Sequence, residues 1–529
     1  MESESGKSPF LEIPDADWEQ TPQSVQRFIF SVVKRCEEIV QRVVDVEQKL
    51  TGLEEENRLL REKLAGHSSN SSRPPSTDPP TVKRQGKEPT GKKRGAQPGH
   101  SGHQRQLRPV EQCAKVVDHY PRQCRRCGTA LRGTDTEPLR HQVIEVPPIT
   151  PSVEEHRLHR LTCQGCGART CAPLPTDVPQ TGYGPRVVAL VAVFGGLYRI
   201  SERMTQAAMS DLFGVEMSLG SINAVRQEAS LAIAAPVEQA RTFVQQQEVV
   251  QADETGFIQG NADGNNPTRR KAWLWVAVTT WVVAFRLSLS RGQNAARELL
   301  GAGFAAILIS DRWNGYNWVS RLKRQLCWAH LKREFQKIAE RTGESQRIGQ
   351  ALLAEESQLF RYWHRVRDGT LARSSFRLYA GRIRQRIKRL LAEGAAYEPR
   401  RGDASERART SRTCRELLKV EEAMWLFVRV EGVAPTNNAA ERAIRPAVLW
   451  RRTSFGAQSA EGSEFVARML TVVMTLRAQQ RNVLEYMTRA CHAARQNIAA
   501  PSLLPKLSDI EGHQLLAAYS VFKLDIQVL

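Results

Sequence analysis

Between residues 25 and 64 the apolar positions Val25, Ile29, Val32, Cys36, Ile39, Val43, Val46, Leu50, Leu53, Leu60 and Leu64 fall in alternating steps of four and three, with Asn57 as the single polar member. That period predicts one long helix with a narrow apolar seam. Its charged flanks (Glu54, Glu55, Glu56, Arg58, Arg61, Glu62, Lys63) and the lone Asn in the seam are the pattern of a two-stranded, in-register coiled coil. The expectation is a leucine zipper over 25–66 that makes a homodimer or higher assembly. Residues 1–24 are acidic at the start and lack an apolar core, so they read as a disordered arm and not as a signal peptide.

The pattern then changes character along the chain. Residues 67–110 are rich in Ser, Pro and Gly and build no core. Residues 176–247 carry helical periodicity, with "ISERMTQAAMSDLFGV" and "SLGSINAVRQEASLAI" reading as two helices joined by a turn at Gly214. That pair is read either as a helix-turn-helix DNA-binding segment or as plain helical packing. From 248 the runs "EVVQADETGF", "KAWLWVAVTT", "WVVAFRLSLS" and "AAILISDRWNGY" are strand-like, with a helix at "NAARELLGAG" and a short strand running into a helix at "QLCWAHLKREFQKIAER". Residues 248–335 therefore form the first part of an α/β core. A helical insertion over 336–432 follows, with "PRRGDASERARTSR" as a loop; a final helical part spans 433–500, and a tail covers 501–529. The longest apolar stretch, "VVALVAVFGGLY", is too short to span a bilayer, and no membrane partner is expected.

Charge adds a partner to this organisation. The 529 residues hold 76 Lys plus Arg against 56 Asp plus Glu, a formal net charge of +20. A surplus of that size suits a polyanion. The linker alone has nine Lys or Arg between Arg73 and Arg108 against Asp78 and Glu88, and Lys92, Lys93 and Arg94 are its densest run. It reads as a solvated arm that lies along DNA phosphates.

Chemistry enters at two places. Within 111–175, "CRRCG" and "CQGCG" set Cys124, Cys127, Cys163 and Cys166 in two knuckles, each followed by a glycine. Two such pairs are the donor set of a closed, structural Zn²⁺ site. The spacer reads as a hairpin, "RHQVIEVP" with "VEEHRLHRLTC", that brings the knuckles together; Cys113, Cys171, His119 and His141 are the alternative ligands. In the α/β region, Asp253 is read at the end of the first strand, just before a break at Thr255 and Gly256, and Asp311 at the end of the fourth. If those strands are neighbours, both carboxylates enter one cleft, as in a ribonuclease-H-like core. Glu441, on a helix start and followed by Arg442 and Arg445, is the third acid, in a setting suited to metal and phosphate together. Three such acids need a cation, and oxygen donors favour Mg²⁺ (or Mn²⁺). Glu254 faces the other side of the strand.

On these residues the chain resembles a DDE transposase of the insertion-sequence 66 family. The resemblance is carried by the zipper, "KRGAQPGHSGH", the double knuckle, "ADETGF", "SDRWNGY", "CWAHLKREF" and "TNNAAERAIRPAVLWRRTSFGAQSAEGSE". It implies a multidomain chain with a zinc-ribbon-like domain and a ribonuclease-H-like catalytic core. It also implies Asp253, Asp311 and Glu441 as the metal-binding triad, and cleavage and strand transfer on double-stranded DNA at element ends and target. Helper proteins of the same element and a cytoplasmic, nucleoid-associated location go with it. Cys327 and His330 match the family's C-x-x-H element and are read as structural support. Two other readings stay open at this point: a DNA-binding protein with a silent core, and a junction-resolving nuclease on the same fold.

Overall fold

A computed structural model describes residues 14–65, 105–176, 178–454 and 456–505. The chain divides into two units, Met1–Lys87 and Glu88–Leu529. Lys92, Lys93 and Arg94 lie outside the described residues, as does the C-terminal tail beyond residue 505.

In the first unit, α1 (Asp15–Gln20) precedes α2 (Gln23–Ala65), a single helix of 43 residues. The disordered arm expected up to residue 24 is thus corrected. Trp18 is buried and its ring meets Phe30 edge-on at 5.7 Å, so an aromatic contact folds α1 back onto α2. The predicted seam lies bare on α2: Val32, Ile39, Val43, Val46, Leu50 and Leu53 are all exposed.

From residue 105 to residue 176 the second unit carries little regular structure. There β1 (Arg160–Thr162) and β2 (Arg169–Cys171) pair antiparallel around the second knuckle, and Gln123 and Ala130 form a single antiparallel bridge around the first. The expected hairpin between "RHQVIEVP" and "VEEHRLHRLTC" does not form, since residues 140–147 are not a strand. Their alternating apolar residues Val143, Ile144 and Val146 are exposed, with no second apolar face against them.

The core follows. Four helices, α3 (Pro185–Val193), α4 (Glu202–Phe213), α5 (Leu219–Ala232) and α6 (Ala234–Gln245), lead into β3 (Val249–Phe257), β4 (Ala272–Val278) and β5 (Val283–Ser288). Then come α7 (Gln293–Leu300), β6 (Ile307–Ser310) and β7 (Arg324–Leu326). The five strands form one mixed sheet in the order β5-β4-β3-β6-β7; β3, β4 and β5 are antiparallel neighbours, and β6 and β7 run parallel to β3. Helices α8 (Trp328–Ala339), α9 (Gly343–Arg367), α10 (Arg373–Ala395), α11 (Glu406–Lys419) and α12 (Leu426–Arg429) make the helical insertion. α11 takes up half of the expected loop at 399–412, because Ser405 caps it by accepting from the Ala408 amide. α13 (Asn438–Thr453), α14 (Ala460–Ala478) and α15 (Val483–Arg495) return to the sheet.

Two apolar clusters hold this unit. One joins α3, α5, α6, α14 and α15 to the strands; the other joins Ile309 and Leu326 to the insertion helices around Trp328, Trp425 and Phe427. Edge strand β5 would expose unpaired amides. α14 satisfies them with two threonines one helical turn apart: Thr475 Oγ1 accepts from Val283 N at 3.1 Å and Thr471 Oγ1 from Phe285 N at 2.9 Å.

The two helices joined at Gly214 form as expected, with Gly214 at φ 62° and Ser218 capping α5. α5 does not present itself as a free recognition helix. Its Arg226 pairs with Glu202 and lies over the Phe465 ring, and Glu228 binds Arg495 at 2.7 Å. Its exposed positions Gly220, Asn223, Ala224, Gln227 and Leu231 carry no cation.

Candidate active site

Asp253 lies in the middle of β3, not at its end. The Thr255-Gly256 pair is no break, because antiparallel pairing with β4 continues to Phe257 opposite Ala272. What ends near Asp253 is the parallel pairing with β6, whose last partners are Gln251 and Ile309. Two residues further along each strand direction stand Asp253 and Asp311, the latter where β6 gives way to a loop and near enough for its charge to act on Asp253. Strand alternation puts Gln251, Asp253 and Thr255 on one face of β3.

α13 lies along that same face. At its start the Ala439 amide donates to Gln251 Oε1 at 3.1 Å; near its end Arg451 donates to Thr255 Oγ1 at 2.7 Å. Buried Asn437 donates to the Ala252 carbonyl at 3.4 Å. These anchors on either side of Asp253 set Glu441, in the first turn of α13, over the strand. Burial raises the Asp253 carboxyl well above the usual carboxylate range, and the charges of Glu254, Asp311 and Glu441 add to it. Its own Oδ1 accepts only the neighbouring Glu254 amide, at 2.9 Å. Glu441 Oε1 is buried and has no hydrogen-bond partner among the described residues. Asp311 and Glu441 thus stand close enough for their charges to act on Asp253, although the three carboxylates do not all come within 4.8 Å of one another; their oxygens are the donor type that a hard divalent cation takes.

The loop after β6 is fixed residue by residue. Asp311 Oδ1 accepts the Trp313 amide at 2.9 Å. Arg324, buried in β7, donates to the Asp311 carbonyl at 2.8 Å, the Trp313 carbonyl at 3.1 Å and Asn317 at 2.9 Å; burial pulls its pKa down to about 10. Gly315 is required because a Cβ there would stand 2.8 Å from Trp313 Nε1. The buried Tyr316 hydroxyl donates to Glu254 at 2.8 Å. Glu254 thus has its partners on the far face of β3, where Arg291 also donates to it at 2.9 Å. Burial, then the Asp311 charge, raises its pKa.

Arg442 and Arg445 are exposed on the outer side of α13 and pair with no described acid. The segment after α13 is also tied down: Gly260 N donates to the Ala457 carbonyl at 2.8 Å, and Ala457 N to the Ile258 carbonyl at 3.0 Å. At Gly456, φ is 84° and a Cβ would meet the Ile258 carbonyl oxygen at 2.2 Å, which accounts for glycine in "FGAQS". The sequence reading missed Gln251, Asn437 and Arg291. Gln251 was findable, since it lies two residues before Asp253 and so shares its face.

A cleft of about 350 Å³ opens beside Asp311, lined by Cys327, His330 and Glu334 among others. His330 Nδ1 faces Glu441 Oε1 at 3.5 Å. Burial, then the Arg333 cation, pushes the imidazole toward its neutral form, while burial takes the Cys327 thiol up to about 11.

In the knuckles, Gly128 and Gly167 take φ of 76° and 71°, and their amides return to the Cys124 and Cys163 carbonyls at 2.9 Å. Hydrogen bonds from Thr129 lower the Cys127 thiol, and amides of Cys166 and Gly165 lower that of Cys163. Each pair is thus shaped for a metal thiolate. The structure does not gather three of the four thiols within 4.8 Å of one another.

Residues 183–465, just over half of the chain, match the model described as the Transposase IS66 family. Residues 121–167, which contain all four knuckle cysteines, match the zinc-finger binding domain of transposase IS66, and residues 25–106 match a family of unknown function. Two proteins of Sinorhizobium fredii (strain NBRC 101917 / NGR234) are similar. Uncharacterized protein y4qI is 28% identical over 265 residues, 46% of this chain and 48% of that protein; uncharacterized protein y4hP is 25% identical over 396 residues, 69% of each. The chain thus spans about half the length of the first of these relatives. The match thus takes in both the α/β core and the double-knuckle region, a transposase core with a zinc-finger domain. The chain belongs to the IS66 transposase family.

No helix among the described residues is long and apolar enough to cross a membrane.

Proposed function

We propose that this chain cuts DNA at the ends of its element and joins them to a target, with Asp253, Asp311 and Glu441 as the catalytic acids. The observation that supports the reading is the approach of β3, β6 and α13, close enough for the charges of Asp311 and Glu441 to act on Asp253. The sheet order β5-β4-β3-β6-β7, with three antiparallel strands and then two parallel ones, supports a ribonuclease-H-like core. When bound, Mg²⁺ at these carboxylates would activate water or a DNA 3′-hydroxyl and stabilise the leaving oxygen. The chain's own part is to hold the acids in register and to keep the Asp311 loop in place through Arg324. It also offers Arg442 and Arg445 to the phosphates beside the site. A supercoiled plasmid carrying the element's ends, incubated with the protein and Mg²⁺, is expected to show end-specific nicks. Nicks without end preference favour a nuclease, and none at all favour a silent core.

The same reading assigns roles outside the core. Cys124, Cys127, Cys163 and Cys166 would share one structural Zn²⁺ once the two preformed pairs close on it. Cys163→Ser is expected to lower the zinc content of dialysed protein by about one equivalent, as for a closed four-ligand site, and to weaken end binding. Full retention of zinc in that variant rejects the assignment.

The exposed seam of α2 would close against a second copy in parallel. Chain lacking residues 1–66 is expected to sediment as a monomer where the full chain is a dimer or larger. An unchanged mass removes the zipper from the account.

A further inference from the structure

Beside the three acids lies a cluster of different chemistry. Cys327 Sγ, a His330 ring nitrogen and a Glu441 carboxylate oxygen lie within 4.8 Å of one another, the one such group of three among the described residues. Cys327 is the N-cap of α8, and backbone amides of Asn437, His330 and Ala329 bear on its sulfur. The finger does the same thing two and three residues after its own cysteine, where the amides of Gly165 and Cys166 bear on Cys163. C-x-x-H at 327–330 is thus built as a knuckle of the C-x-x-C kind, with imidazole in the second place. His330 Nδ1 and Glu441 Oε1 are both buried, and neither has a hydrogen-bond partner although they face each other. Two orphaned polar atoms aimed at one point, next to a buried thiol, are costly unless something sits between them.

We infer that Cys327, His330 and Glu441 form a second Zn²⁺ site, distinct from the finger. Zinc bonds of about 2.0–2.3 Å put tetrahedral ligands about 3.3–3.8 Å apart. The 3.5 Å between Nδ1 and Oε1 already meets that spacing. With three protein ligands the fourth position is open, toward the cleft that Asp311 lines. The two neighbouring donor sets sort metals by softness. Asp253 and Asp311 offer only oxygen, which suits Mg²⁺; sulfur and imidazole beside Glu441 suit zinc and bind Mg²⁺ poorly. Glu441 belongs to both sets. On the catalytic reading above, zinc held here draws that carboxylate away from Asp253 and acts as a brake.

The test is the zinc content of full-length protein equilibrated with buffered Zn²⁺ and then dialysed. His330→Asn changes a side chain only 30% exposed but not packed in the core, and Cys327→Ser removes the sulfur. Each is expected to hold about one equivalent less than wild type, and the loss should add to that of Cys163→Ser. Equal zinc in wild type and His330→Asn overturns the site, whatever becomes of the fold of Cys327→Ser. Glu441→Gln separates this inference from the catalytic reading. Loss of one zinc together with loss of cutting supports both, and loss of zinc with cutting intact supports the site and removes Glu441 from catalysis. Unchanged zinc with cutting lost overturns the site alone.

Discussion

Asp253→Asn is expected to abolish DNA cleavage and strand transfer together, by about 10³-fold or more if several kcal/mol of charge stabilisation are lost. The amide keeps the shape and the hydrogen bond from the Glu254 amide but removes the charge that shares a cation with Asp311 and Glu441. Folding should survive, and the sign of the pKa shift says more. Burial and like charges hold the Asp253 carboxyl well above its ordinary value of 3.8. For a group raised in the folded state, stability is fully present below the ordinary value and is lost as pH rises through the raised one. The ionised carboxylate therefore costs stability at neutral pH in metal-free protein. Metal-free Asp253→Asn should unfold at or above the wild-type temperature at neutral pH, and the difference should close as the pH falls toward the ordinary carboxylate range. Added Mg²⁺ should raise the wild-type midpoint and leave that of the variant nearly unmoved. Cleavage near the wild-type rate would remove Asp253 from the site. A variant less stable than wild type without metal would make the carboxylate structural.

Much of this arrangement was legible because it rests on periodicities that side chains impose locally. The four-three spacing from Val25 onward gave α2, and β-branched and aromatic runs gave β3, β4, β5 and β6. Two aspartates on strands that become neighbours, with a glutamate opening a later helix, were enough to expect one cleft. What was not legible depended on partners far along the chain. Thr255 and Gly256 look like a turn, yet β4 holds them in a strand through to Phe257 opposite Ala272. The alternation at 140–147 looks like a strand, but nothing apolar covers it. Ser218 caps α5 as a recognition helix would be capped, but the contacts of Arg226 and Glu228 with distant residues turn it inward. Glu254 shows how the two kinds of information combine. Alternation placed it on the far side of β3 from Asp253, while its partners, Arg291 and Tyr316, lie 37 and 62 residues away and could not be read from the strand.

Those partners define the second large effect. Arg291→Ala is expected to destabilise the core by about 3 kcal/mol, the lower end of the cost of breaking a buried pair from one side, because the guanidinium is itself one-third exposed. Glu254 has a side chain only 1% exposed and would be left with the Tyr316 hydroxyl alone, near the Asp311 charge. The guanidinium also fills the space between two indoles, 3.8 Å from the Trp313 ring centre and 4.5 Å from that of Trp273, and the Arg291 carbonyl accepts from Trp313 Nε1 at 3.0 Å. Its loss should therefore loosen the loop that holds Asp311 as well as uncover a charge. Chemical denaturation measures the first effect and plasmid nicking the second. Glu254→Gln alone should keep measurable activity, since the amide oxygen still accepts from Arg291 and the Tyr316 hydroxyl can turn to accept from the amide NH2. In the double variant Glu254→Gln should recover part of the stability lost at Arg291, because no buried charge is then left unpaired. Activity should not recover with it, because the indole sandwich remains empty. If the two changes are simply additive in stability, the pair contributes nothing as a pair, and Arg291 acts only through the tryptophans beside the Asp311 loop.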